Sequence, residues 1–195
     1  MLIMNASKES RKVRAAALVN KLKYGSAGML RFFSDTKIPS SIMVLGIISS
    51  EGDIMPLFFF QKGLRVTAEI YQEVLRSVVK PWMDEIATGR PNIFQHDSAP
   101  AHKAKTTQAW LLNNVPHHWS LDLCPPSSPD YKLLYFFWSV IKVDSLKAAI
   151  VEAFITIDKD MVAKACDSFR TRLEMLVAAG RPPHPTANHF ISSGA

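Results

Sequence analysis

Cysteine is nearly absent. Cys124 and Cys166 are the whole complement of the 195-residue chain. Two thiols cannot staple a disulfide scaffold, and neither sits in the paired spacing of a structural zinc site, His117-His118 with Cys124 included. A reducing compartment, cytosol or nucleus, fits this usage best. Long apolar runs are missing too. The longest, Ile42–Ile48 and Ile54–Phe60, are strand-sized, well short of the roughly 18–20 residues of a membrane helix. Met1–Met4 carries neither a basic leader nor a long apolar region, so no secretory signal is expected. Internal repeats are lacking. What remains is 48% hydrophobic and 21% charged, enough to bury the core of one ordinary domain.

Acidic residues are scarce at one end. Residues 1–40 hold eight Lys/Arg against two Asp/Glu, and residues 41–195 hold fifteen of each. The net charge of +6 therefore resides in Lys8, Arg11, Lys12, Arg14, Lys21, Lys23, Arg31 and Lys37, diluted by Glu9 and Asp35. Clustered cations attract phosphate backbones by counterion release, without reading sequence. A solvated helix face is the alternative, and composition alone leaves both open.

Residues 7–23 are predicted helical, with Ser7 as cap. Strands are predicted over 29–34, 41–50 and 54–60, the last two joined by the turn Ser50-Glu51-Gly52-Asp53. Residues 67–87 carry apolar side chains at helical spacing, from Ile70 to Ile86, with Thr67 as cap and Pro81 expected to kink or divide the helix. A short strand over 92–96 ends at Asp97, residues 101–114 form a helix, and 117–121 a fifth strand. Residues 124–129, with three prolines and two serines, form a loop. Asp144 and Asp158 cap two further helices, and the tail 181–195 looks disordered. Three antiparallel strands followed by alternating helices and strands give an α/β fold: a mixed sheet with helices on both faces, in the order of the ribonuclease H-like fold. The expected division is a basic helical arm over 1–28, the domain proper over 29–180 and the tail over 181–195. Met29, Met43, Met55 and Phe58–Phe60 belong to the core. Trp110, Trp119 and Trp138 fill gaps between helices and sheet rather than stack on bases.

Asp35 follows the first strand and Asp97 ends the fourth. If those strands are neighbours, two carboxylates converge at one edge. Paired carboxylates suit Mg²⁺, which takes one or two from protein and completes its shell with water and phosphate. Two such ions can cleave a phosphodiester, but a second ion commonly needs a third carboxylate. The alternative is structural: Asp35 as a turn residue and Asp97 as the cap of the following helix.

Phe94-Gln95-His96-Asp97-Ser98-Ala99-Pro100-Ala101-His102 resembles the "Q-D-N-A-P-x-H" signature of mariner-like transposases of the DDE superfamily. Pro125-Pro126-Ser127-Ser128-Pro129-Asp130 resembles the "P-P-x-S-P-D-L-x-P-x-D-Y" block of that family. Phe33-Ser34-Asp35-Thr36-Lys37 resembles "F-S-D-E-K" on its first catalytic strand, and residues 41–56 its second strand and hairpin. The likeness runs from about residue 7 to 180, in order. It implies metal-dependent DNA cleavage and strand transfer, with Asp35 and Asp97 as catalytic ligands of Mg²⁺ or Mn²⁺. His102 matches the family's histidine one turn later, orienting the site or contacting DNA; a helix residue with a satisfied hydrogen bond is the other reading. The implied partner is DNA, in the nucleus, through Lys8, Arg11, Lys12, Arg14, Lys21 and Lys23, with no membrane. Homodimerisation or pairing with an intact transposase is left open.

Three departures stand against these matches. The family's third acid lies five residues after the Asp of Ser-Pro-Asp; here that count reaches Tyr135, and a one-residue deletion puts the gap between Leu134 and Tyr135, so no carboxylate fills the position. The first strand is expected to be cut short at Pro39, leaving Asp35 poorly supported. The paired helix-turn-helix region that precedes the catalytic domain in relatives has no counterpart upstream of Ser7. The expected protein is a degenerate, catalytically impaired transposase domain that binds nucleic acid; a non-catalytic DNA-binding module and a decayed fragment without selected function are the alternatives.

Overall fold

Six consecutive residues of one strand, Val44–Ser49, are buried. A strand buried on alternate sides at every position must be covered on both faces. That pattern organises the computed structural model, which describes residues 2–25, 28–37, 43–97, 99–115, 117–119, 134, 151–152 and 154–179. In chain order the elements are α1 (Leu2–Asn20, continued by a π-helical turn at Lys21–Gly25), β1 (Leu30–Lys37), β2 (Val44–Ser49), β3 (Phe58–Phe59) and α2 (Ala68–Val74). A π-helical turn, Leu75–Val79, leads into α3 (Lys80–Ala87). Then come β4 (Asn92–Gln95), α4 (Pro100–Lys103), α5 (Lys105–Asn114) and α6 (Lys159–Ala179).

The sheet order is β3-β2-β1-β4. β1 and β2 pair antiparallel, with Asp35 opposite Gly46, and β2 pairs antiparallel with β3. The chain then crosses over through α2 and α3, and β4 pairs parallel with β1, Phe33 opposite Gln95. An isolated parallel bridge joins Phe94 to His118, within the stretch expected as a fifth strand, of which residues 120–121 lie outside the described residues. This mixed sheet with flanking helices is the ribonuclease H-like α/β arrangement.

Alternation sorts the core into two layers. Phe33, Val44, Ile48 and Ile93 point to one face, where Ala15, Leu18, Val19 and Leu22 of α1 meet Val162, Phe169, Leu173 and Leu176 of α6. Leu30, Phe32, Leu45, Ile47 and Phe94 point to the other, under Tyr71, Leu75, Val79, Met83 and Leu111. Met55, Phe60 and Trp119 are buried, and Met43, Phe58, Phe59 and Trp110 pack at the margins, as the composition of those strands implies.

Several boundaries differ from expectation for identifiable reasons. β1 runs to Lys37 instead of stopping at residue 34, so Asp35 lies inside a strand and is paired with Gly46 of β2. Pro39 lies outside the described residues. α1 begins at Leu2 rather than at Ser7, and residues of it are core rather than arm. Pro81 does not break its helix: the π-helical turn before it shifts the hydrogen-bond register, and Pro81 takes an early position of α3, where a missing N–H costs least. Asp158 Oδ1 accepts from the N–H groups of Asp160 and Met161, the expected cap. The 124–129 loop, Trp138, the Asp144 cap and the tail 181–195 lie outside the described residues.

The β2–β3 turn is fastened on three sides. Within it the Ser49 hydroxyl donates to Asp53 at 2.7 Å and accepts from the N–H groups of Glu51 and Asp53. Arg90 grips Glu51 through two hydrogen bonds of 2.7 and 3.0 Å, and Lys159 Nζ meets Asp53 Oδ1 at 2.6 Å. Exposed pairs of this kind contribute little each. The tighter constraint is Gly52, at φ +93°, where a Cβ would collide with the backbone of Lys159. Gly52→Ala is expected to cost about 2 kcal/mol or more, a fall of roughly 4–8 °C in melting temperature.

Asp53 also yields a pH prediction. Burial opposes its charge, but hydrogen bonds from Lys159 and Ser49 outweigh it and hold the carboxyl below its ordinary 3.8. A lowered folded value stabilises above the unfolded pKa and fades as pH falls through it. The melting deficit of Asp53→Asn should be full at neutral pH and shrink as the pH falls below the ordinary carboxyl value of 3.8 and through the lower folded one, read by thermal unfolding across that range.

Candidate functional site

Parallel register places two acids side by side. The last β1–β4 pair is Phe33 with Gln95, so Asp35 and Asp97 stand two residues further along each chain, at the same level. The second contact is direct. Asp97 Oδ2 accepts from the Thr36 hydroxyl at 2.8 Å and from the Thr36 N–H at 3.4 Å. Asp97 thus touches the residue next to Asp35. Asp35 is itself buried, at 4% exposure. It shares the face of Phe33, and its partner across β2, Gly46, has no side chain to crowd it.

The other oxygen of Asp97 faces the helix that follows. Oδ1 accepts from the Ala99 N–H at 3.0 Å, an Asx turn, and meets His102 Nδ1 at 2.5 Å. His102 is 2% exposed. Its ring stacks on Tyr71 with centroids 3.8 Å apart and meets His96 edge-on at 5.6 Å. Its carbonyl accepts from Gln108 Nε2 at 2.7 Å, and its N–H donates to the Ala99 carbonyl. A nitrogen aimed at a carboxylate must carry its hydrogen, so Nδ1 is the donor of this pair.

Charge follows this geometry. Burial opposes ionisation of Asp97, but the hydrogen bond and charge of His102, with those from Ala99 and Thr36, hold its carboxyl well below the usual range. His96, stacked on Phe94, is pushed down to about 4, first by burial and then by His102. Burial, and then the charge of Asp97, push the Tyr71 phenol up; the Ser34 hydroxyl beside it works the other way. The result is one anion within a buried polar cluster.

Asp97 and His102 therefore meet just past the C-terminal end of β4, while Asp35 lies in β1 next to the Thr36 that Asp97 touches. Lys12, Arg14, Lys21 and Lys23, together with the positions of Lys8 and Arg11, belong to α1 on the opposite face of the sheet from α4. Lys23 pairs with Glu174 at 3.4 Å. Asp130 and Tyr135 lie outside the described residues, and Leu134 is buried. Sequence reasoning missed Thr36, Tyr71 and His96. A signal existed for Thr36, which stands where the "F-S-D-E-K" motif carries a carboxylate. Tyr71 had none, because it reads as one more apolar position of a helix.

A divalent cation does not fit this arrangement as it stands. A carboxylate offers about four lone-pair sites, and Asp97 spends them on Ala99, His102 and the two Thr36 donors. Among the described residues no group of three or more His, Cys, Asp or Glu side chains is placed to hold a metal. Nor, among them, is any helix long and apolar enough to cross a membrane.

No protein-family model matches the sequence, and no curated protein does. Solved structures do. The catalytic domain of Mos1 mariner transposase matches with a TM-score of 0.75 at 20% identity, over 91% of this chain and 95% of that one. The same domain with raltegravir and Mg gives 0.76 at 20% identity, covering 91% and 96%. The Mos1 paired-end complex with the left transposon end gives 0.73 at 18% identity, over 90% of this chain and 62% of the longer transposase chain. These likenesses establish the ribonuclease H-like fold. Those homologous structures include Mg, Mn and paired-end DNA complexes.

Proposed function

We propose that this chain is a transposase-derived nucleic-acid-binding protein of the mariner-like type in which metal-dependent strand cleavage is impaired. The observation that carries the reading is the parallel pairing of β1, which bears Asp35, with β4, which leads into Asp97, in a fold shared with the Mos1 mariner catalytic domain. This supports the origin. The loss of chemistry is supported by Tyr135, where the motif calls for an acid. Asp35 and Asp97 remain the positions that the ancestral Mg²⁺ or Mn²⁺ ligands would occupy.

DNA contact is assigned to the cations of α1. Lys21 and Lys23 are exposed and Lys12 is half-buried, along a helix whose other side is fixed to α6. Phosphate contacts position a protein on DNA without specifying sequence. The compartment that follows is the nucleus, and the partner is DNA, with self-association or pairing with an intact transposase as the assembly to look for.

The test uses the full chain, since α1 supplies core residues and cannot be cut away. Fluorescence anisotropy with a duplex should show affinity falling roughly 40-fold between 50 and 200 mM salt for three phosphate contacts. Lys12→Gln with Lys21→Gln should flatten the salt slope by about two. In parallel, plasmid nicking with Mn²⁺ should stay at background for the native chain and for Asp97→Asn alike. Salt-insensitive or absent DNA binding removes the reading, and nicking that Asp97→Asn abolishes restores the enzyme.

A further inference from the structure

The acid that ends β4 is held from four directions, and the groups that hold it are themselves fixed. Thr36 is a strand residue paired with Leu45. Its hydroxyl and N–H both point at Asp97 Oδ2. His102 sits in α4 with its ring pressed on Tyr71, whose side chain is fully buried. Gln108 clamps its carbonyl, and the Thr107 hydroxyl clamps that of Ala101 beside it. His102 cannot swing away from Asp97 without opening the layer between α2, α4 and α5.

A hard cation such as Mg²⁺ needs carboxylate lone pairs at about 2.0–2.1 Å. At Asp97 those directions are taken by hydrogen atoms, whose partial positive charge opposes a cation. We infer that Thr36 and His102 make Asp97 a structural tie between β1, β4 and α4, closing to a divalent cation the position that the transposase resemblance gives to a metal ligand. Both are positioning residues acting through Asp97. Thr36 is the telling one. A glutamate at that position, as in "F-S-D-E-K", would bring a side chain of like charge that cannot donate to Asp97; the threonine hydroxyl donates to it. The inference rests on the strand placement used for the proposed function, but not on DNA binding.

The sign of one substitution separates a tie from a ligand. In a metal-binding pair, the metal-free carboxylates repel, and neutralising one leaves the melting temperature unchanged or raises it. In a tie, neutralising the acceptor of several donors destabilises. In EDTA and without DNA, Asp97→Asn should melt roughly 5 °C or more below the native chain. Thr36→Val should also melt lower, and Thr36→Ser, which keeps the hydroxyl, should restore most of the loss. The Thr36 pair carries the test if Asp97→Asn does not fold. Mn²⁺ titration followed by electron paramagnetic resonance should show no saturable uptake by the native chain up to about 1 mM, against the tighter binding that a built carboxylate site gives. Saturable uptake lost in a folded Asp97→Asn, or an Asp97→Asn or Thr36→Val chain as stable as the native one in EDTA, overturns the inference. None of these readouts contains DNA, so their failure and that of DNA binding are distinct.

Discussion

The parallel pairing of β1 with β4 is the constraint on which the rest of the structure depends. It joins the antiparallel part of the sheet, β1 to β3, to the part reached by crossover. β1 is then central and β4 flanks it, and the side chains of both divide between two buried layers. Parallel register sets Asp35 and Asp97 at one level. Where the ladder ends, the Asp97–Thr36 contact continues it by other means: a side-chain carboxylate accepts what a backbone carbonyl would have accepted. A buried N–H and a buried carboxylate each find a partner there, which is the condition for burying either.

That condition bears on function. The same carboxylate at the same sheet edge can serve as a ligand or as a cap, depending on what surrounds it. A ligand needs exposed lone pairs and neighbouring negative charge for a cation to neutralise. A cap needs donors. Around Asp97 the structure supplies donors: Thr36, Ala99 and His102. Asp35, on the other face of β1 from Thr36, lies opposite Gly46. The chain thus has a ribonuclease H-like frame similar to that of the Mos1 mariner catalytic domain, and Asp97 is part of the fold's own bonding.

How much of this was legible in the sequence varied with the kind of signal. The sheet was legible because β2 is apolar without interruption and the 50–53 turn is marked by Gly52 and Asp53. The α2–α3 helix was legible from its period, and Asp158 from its capping chemistry. The adjacency of the strand that carries Asp35 to the strand that leads into Asp97 followed from strand order. Not legible was the length of β1, which runs to Lys37, since the nearby Pro39 reads as a stop. The role of α1 was also hidden. Its lysines and arginines dominate composition, whereas Ala15, Leu18, Val19 and Leu22, spaced as a helix face, dominate packing. The Asp97 cluster was half legible. An Asp before a helix announces a cap, but His102 and Tyr71 meet only because α4 and α2 pack on the same layer, a tertiary fact that no local pattern carries.

The central claim is that the Asp97 carboxylate is committed to Thr36 and His102. The most direct test is a crystal structure of the full chain grown in Mn²⁺, with anomalous scattering used to locate the ion. The account predicts Asp97 still hydrogen-bonded to Thr36 and His102, with no anomalous peak between Asp35 and Asp97. A peak there, with Asp97 turned away from His102 to meet it, would contradict it.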